Sequence, residues 1–407
     1  MNRYLLAGCA AVALAMGAGA ANAQAKFEVK VGGDAYFEAG FVDQDLDNGL
    51  RSTEFQNRFR VNIIPTAKAD NGLEYGGRVR IRAAGTNTGV TGDRAFIFAQ
   101  GTFGRVNLGV TNSFNDDTYI SAPTDYLPLA LVDRVINWVG GAAGSAGAQT
   151  GGGATRFVGA DVNGGIAPAI NGGSSIVWPS LTPEGNATKI VYYSPRFAGV
   201  QLGASYTPRN DSYNQDVNRV KVGSVAGAQA TSSFQDLVEV GANYSNTFAG
   251  FAVKASAGYF WGEAADSTGA TDNFKDLNAW QIGAQVGYAG FAVGGSYTDF
   301  GKSGQNQIAG RFTEKTSTWT AGVQYTAGPI VVGANYKYGQ DAGSTLIAGK
   351  RKLEVYEIGA GYTVAPGLTL QAQYDFFKAD SDKLATVASG SPDDEGHVFL
   401  VRSVLAF

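Results

Sequence analysis

Arg78, Arg80 and Arg82 recur at every second residue, and Arg58 and Arg60 do the same a short way upstream. On an extended strand that spacing points the guanidinium groups to one face, and two adjacent strands would merge them into one basic wall. A second charge group opposes the first. Segment 112–187 carries Asp116, Asp117, Asp125, Asp133, Asp161 and Glu184 against only Arg134 and Arg156, a net charge of −4. A basic wall facing an acidic loop sets up a transverse field, focused by low-dielectric surroundings. Such a field orients water and polar solutes; it breaks no bonds. The same arginine spacing also suits a solvated face with no part in selectivity. The length of the loop leaves room for some of its acids on outer turns.

Other chemistries find little material. The chain has one His and one Cys, so a His-dependent triad, a zinc centre and a disulfide framework all lack residues. His397 shares the parity of Phe399, Val401 and Leu405 and reads as a surface residue. Gly151-Gly152-Gly153 lacks the Lys-Ser/Thr of a phosphate loop. No twelve-residue calcium loop is present. The expectation is a protein without enzymatic activity, metal or cofactor. A net charge of −4 gives no general attraction to nucleic acid, and 16% charged with 12% aromatic residues is not the composition of a disordered chain.

The elements that must hold the arginines follow a period of two. Odd positions from 27 to 41 read Phe, Val, Val, Gly, Ala, Phe, Ala, Phe, while the even positions from 28 to 42 carry four charges. Strict alternation of this length predicts a strand. It recurs at Phe59-Val61-Ile63, Tyr75-Val79-Ile81, Val238 to Tyr244, Trp280 to Tyr288, Trp319 to Tyr325, Tyr356 to Tyr362 and Leu368 to Phe376. Arg94 to Gln100 is ambiguous, because Phe96 and Phe98 share a face with Arg94. Short turns near Asn71-Gly72, Phe103-Gly104, Pro195, Gly250, Gly290, Pro329 and Gly367 alternate with long loops near 42–53, 84–93, 111–187, 207–235, 263–276, 300–315, 339–351 and 379–395, which predicts sixteen strands.

A soluble sandwich also alternates. Three features favour an all-β transmembrane barrel instead: aromatics at both ends of the apolar face, alternating short and long connections, and an apolar face rich in Ala and Gly. Closure also removes sheet edges. No later segment is an uncharged apolar run of about 18 residues, the length of a spanning helix. Residues 1–23 read as a secretory signal cleaved between Ala23 and Gln24, leaving the barrel in 24–407. Leu6-Ala7-Gly8-Cys9 matches a lipoprotein pattern, but cutting there leaves too short a signal. Within the third loop, Asp125 to Val139 predicts a short helix with Leu127, Leu131, Val135 and Trp138 on one stripe, packed on the inner wall or at an outer contact. Residues 140–173 are rich in Gly and Ala.

Phe103-Gly104-Arg105-Val106-Asn107-Leu108-Gly109 before that loop, Ile190-Val191-Tyr192-Tyr193-Ser194-Pro195 after it, Gly199 to Tyr206 on the next strand and the terminal Phe407 together resemble the general porins of Gram-negative outer membranes, most closely the alphaproteobacterial type. The resemblance spans 24–407. It implies an antiparallel up-and-down barrel of sixteen strands in the outer membrane, a homotrimer in contact with lipid and lipopolysaccharide, a third loop folded into the lumen, and Phe407 as the signal read by the barrel-assembly machinery. The activity it implies is general diffusion of small hydrophilic solutes and ions. A substrate-specific sugar or anion channel is the alternative. The third loop, 76 residues long, exceeds what such porins usually carry.

Overall fold

A computed structural model describes residues 26–45, 51–83, 90–127, 138–139, 180, 182–183, 185–210, 212, 215, 217, 219, 234–264, 274–342, 348–380 and 393–407. The strands are β1 (Glu28–Gln44), β2 (Thr53–Lys68), β3 (Glu74–Ala83), β4 (Val90–Gly101), β5 (Gly104–Val110), β6 (Thr188–Tyr193), β7 (Val200–Arg209), β8 (Phe234–Phe248), β9 (Phe251–Ala264), β10 (Leu277–Tyr288), β11 (Phe291–Gly301), β12 (Thr316–Ala327), β13 (Ile330–Asp341), β14 (Arg351–Ala365), β15 (Leu368–Asp380) and β16 (Asp394–Ala406). Each pairs antiparallel with its neighbours in sequence, and β1 closes on β16 from Asp34↔Ala406 to Gln44↔Gly396. The predicted strand number, turns and long connections are all present. Two of the turns show why they are tight. Ala249-Gly250 and Ala289-Gly290 have positive φ at both central residues, the primed geometry that matches strand twist.

Burial is inverted relative to a soluble protein. The outward parity is apolar and open: Ile282 is 50% exposed and Ile358 60%. The inward parity is polar and closed, with Glu38, Lys337, Glu357 and Asp375 all at most 1% exposed. Only a solvent of hydrocarbon outside makes that arrangement favourable. Two aromatic belts ring the outer face. At the long-loop end Trp319, Tyr336 and Tyr356 follow at 4.8 Å between centroids, and Phe376 and His397 continue the belt at 6.0 and 5.2 Å. At the short-turn end Phe251 stacks on Tyr288 and Phe291 packs on Tyr325. His397 therefore belongs to the outer surface, as its parity indicated, with the Tyr374 hydroxyl 2.7 Å from Nδ1.

Two features depart from the alternating pattern. In β4, Arg80 pairs with Arg94 and Ile81 with Gly92, so Asp93 is an extra, bulged residue. After the bulge Phe96 and Phe98 are buried on the inward parity and Ile97 is 61% exposed, which resolves the ambiguous strand. Aromatics also gather on the inward parity. Phe234, Phe260 and Phe300 form one buried apolar cluster at the long-loop end, and Phe377 joins Leu353, Val355 and Val139 in another.

The third loop opens with a helix, α1 (Phe114–Thr118), that the alternation does not announce. Ser113 caps it, its Oγ accepting from the Asp116 amide at 3.2 Å. Of the helix expected over 125–139, residues 128–137 lie outside the described residues, and Asp125 and Tyr126 stand in a turn. Ala23, Gln24, Asp133, Asp161, Glu184, Arg134 and Arg156 also lie outside the described residues.

Candidate functional site

The five arginines read from the sequence do meet on one side of the wall, in an arrangement that pairing alone would make costly. Arg60 lies opposite Arg82, and Arg80 opposite Arg94, so like charges face each other across strands. Two carboxylates offset this. Asp34 of β1 accepts from Arg58 Nη2 at 3.0 Å and pairs with Arg60 Nη2 at 2.8 Å. The bulge turns Asp93 toward Arg80, with Nε at 2.6 Å and Nη2 at 2.8 Å, and Arg82 stands 3.5 Å away. Arg78 instead donates from Nε to Asn62 Oδ1 at 2.9 Å. Asp34 was legible in principle, since it sits on the charged parity of β1. Asp93 was not, because a bulge leaves no mark on simple alternation.

Two further arginines join this group. Arg94 donates to Asn112 Oδ1 at 2.5 Å, to the Asp93 carbonyl at 2.6 Å and to Asn186 Oδ1. Arg105 donates to Asn107 Oδ1 at 2.8 Å and lies 4.4 Å over the Phe98 ring.

Opposite these side chains, the start of the third loop is held by hydrogen bonds to the polar parity of strand after strand. The amides of Phe114 and Asn115 donate to Ser205 Oγ (3.1 Å) and Glu239 Oε1 (2.8 Å). Those of Ile120, Ala122 and Asp125 donate to Ser256 Oγ (2.8 Å), Thr320 Oγ1 (3.2 Å) and Gln324 Oε1 (2.9 Å). The path runs from β7 to β12. Tyr126 then donates to Glu357 Oε1 at 2.6 Å, while its hydroxyl accepts from Asn335 Nδ2 at 2.5 Å. Farther on, Trp138 Nε1 donates to Glu38 Oε1 at 2.8 Å, and Glu38 also pairs with the buried Arg402.

Glycine makes the close approach possible. A Cβ at Gly203 would strike the Phe114 ring, one at Gly241 or Gly258 the Asn115 side chain, and one at Gly333 or Gly359 the Tyr126 ring. Gly203 pairs with Gly241, Gly241 with Gly258, and Gly333 with Gly359, so the glycines form tracks across adjacent strands. The expected acids are thereby separated. Asp117 reaches the arginine side, accepting from Asn112 Nδ2 at 2.7 Å and from the Tyr193 hydroxyl at 2.6 Å. Asp116 lies in the first turn of α1. Asp125 sits at β12, accepting from Gln324 Nε2 at 2.7 Å.

Phe407 occupies the closure seam. Its amide and carbonyl pair with Gly33 at 3.0 and 2.6 Å, and its ring packs on Phe59 at 5.7 Å on the outer face.

A closed barrel, apolar and aromatic-belted outside and polar within, is an integral membrane β-barrel; no described helix is long and apolar enough to cross a membrane. A family model described as Gram-negative porin matches residues 10–382. The chain belongs to that family, whose members are channels rather than enzymes, and it is accordingly a multi-pass β-barrel of the outer membrane. An uncharacterized protein of Rickettsia conorii is 23% identical over 261 residues, 54% of this chain and 57% of its own length. A second, from Rickettsia prowazekii, is 24% identical over 259 residues, with the same coverage. The chain thus matches little more than half the length of these curated relatives. Among solved structures, a triple mutant of Rhodopseudomonas blastica porin superposes with a TM-score of 0.53 at 19% identity, over 93% of this chain and 100% of that one. A loop-deletion mutant of OmpT, an outer membrane protein of Vibrio cholerae, gives a TM-score of 0.55 at 13% identity, over 94% and 99%. At these identities the structures speak for the fold alone.

Proposed function

We propose that the barrel is a water-filled pore for passive, weakly selective diffusion of small hydrophilic solutes and ions. The observation that carries this reading is the charge arrangement of the inner face, where Arg58, Arg60, Arg78, Arg80 and Arg82 stand on one side and the loop start carrying Asp116, Asp117 and Asp125 is bonded to the polar parity from β7 to β12. In this reading the third loop narrows the lumen, and the field between the two groups orders water there. Small polar solutes align in that field, and apolar ones must displace the ordered water. Asp34 and Asp93 temper the basic wall, which favours weak selectivity over exclusion of one sign. The pore works as a homotrimer surrounded by lipid and lipopolysaccharide, and Phe407 serves as the signal to the barrel-assembly machinery.

Purified protein reconstituted in a planar bilayer is expected to give stable open steps whose conductance scales with bulk salt. Closed membranes at all salt concentrations would overturn the reading.

A further inference from the structure

The arginines of this wall fall into two electrostatic kinds, and the difference is one of partner chemistry. Arg58, Arg60, Arg80 and Arg82 face carboxylates. Arg78, Arg94, Arg105 and Arg196 make no such ion pair among the described residues, although Asp117 and Asp93 lie near enough to act on Arg78 and, with Asp116, on Arg94. Among the described residues each of these four is bonded only to neutral oxygens: amide side chains and main-chain carbonyls. Arg196 follows the same rule as the other three, donating to the Gly199 carbonyl at 2.6 Å, to Asn243 Oδ1 at 2.5 Å and to Gln201 Oε1 at 3.2 Å. A neutral acceptor fixes the direction of a guanidinium without cancelling its charge. Arg78 and Arg105 each commit one N–H to an amide oxygen of a described side chain, which leaves most of the fork for a ligand.

All four line one cavity of about 640 Å³, together with Arg80 and Lys68. It runs from the level of α1 to the short-turn end, where Lys68, Arg105 and Arg196 stand. Two carboxylates also line it, Glu74 and Asp117, and Asp117 is engaged by Tyr193 and Asn112. Six cations against two carboxylates leave the cavity strongly positive even with Arg80 offset by Asp93.

We propose that this cavity is a binding subsite for phosphate-type oxyanions on the way from the narrowing to the short-turn mouth. The proposal rests on the reading of the inner face as water-lined. Planar guanidinium forks match tetrahedral and carboxylate oxyanions through paired N–H···O bonds, and pre-orientation by amide oxygens lowers the entropy lost when they close on a ligand. The volume exceeds that of a bare ion, so a phosphorylated organic solute fits as well as inorganic phosphate.

The test is calorimetric titration of the full-length folded barrel in detergent with inorganic phosphate at low ionic strength. Saturable binding is expected, weakened at least tenfold in R105Q/R196Q and similarly in R78Q, while R105K/R196K keeps the charge and recovers only part of the affinity. Absence of saturable binding in the wild type overturns the proposal without reference to any variant. Unchanged affinity in a folded R105Q/R196Q or R78Q protein does the same. A barrel that conducts but binds no phosphate removes this inference alone. One that binds phosphate but never opens in a bilayer removes the diffusion reading alone.

Discussion

Tyr126 shows how a single side chain holds the third loop. Its ring sits where Gly333 and Gly359 leave no side chain, its backbone passes over Gly361, and its hydroxyl joins Glu357 and Asn335, all of them buried. Removing only the hydroxyl leaves buried polar partners short of a hydrogen bond, which costs about 1–3 kcal/mol. Y126F is expected to lower the unfolding free energy in lipid or detergent by that amount, read from denaturant midpoints. The pH dependence follows from the same contact. Burial first, then the Glu357 carboxylate, raise the phenol above its ordinary range. The folded chain therefore keeps a proton that the unfolded chain releases near pH 10. The stability that Tyr126 adds is fully present below about pH 10 and shrinks as pH rises above it. The gap between wild type and Y126F should be constant through neutral pH and narrow in alkali; a gap that widens there would contradict the assignment.

At the scale of the element, the seat of the loop is a property of several strands at once. Phe114 and Asn115 lie over Gly203, Gly241 and Gly258 on β7, β8 and β9, and those three positions are in register. Any side chain there competes with the loop for the same space. G203L is expected to destabilise the barrel by about 1–3 kcal/mol through overpacking, or else to displace α1. Denaturant midpoints read the first outcome and a changed single-channel conductance the second. Gly92 supplies the contrast, because a Cβ there meets nothing nearer than the Arg80 carbonyl oxygen at 3.8 Å. G92A should stay within about 0.5 kcal/mol of the wild type. The bulge at Asp93 is an element-scale device too. One extra residue in β4 brings a carboxylate onto Arg80 and Arg82 without turning the strand beyond it inside out.

For the whole molecule, the decisive quantity is which solvent meets each face. Ile358, midway along β14 and 60% exposed, faces hydrocarbon if the barrel spans the bilayer as its family does. I358R should cost about 2–4 kcal/mol in a bilayer, measured by reversible folding into vesicles. A neutral result would mean that this face is wet. Closure contributes at the same scale. The β1–β16 seam, ending at Phe407 and Gly33, leaves no exposed edge for aberrant pairing.

Alternation from Phe27 to Phe41, aromatic pairs such as Trp319 with Tyr325 at the ends of an apolar stripe and the rhythm of Asn71-Gly72, Gly250 and Gly367 against long polar loops were enough to determine sixteen strands, the inward and outward faces of those that alternate cleanly, though not of Arg94 to Gln100, and the shared face of Arg58 to Arg82. These are local properties, since a period of two is written in neighbouring residues and survives any choice of partner. Which carboxylate meets which arginine, where Asp117 and Asp125 come to lie, and the glycine floor beneath Phe114 and Tyr126 were decided only by the tertiary structure. Those contacts join residues up to hundreds of positions apart, as Tyr126 and Glu357 do, and depend on strand register and on a single bulge that periodicity does not encode.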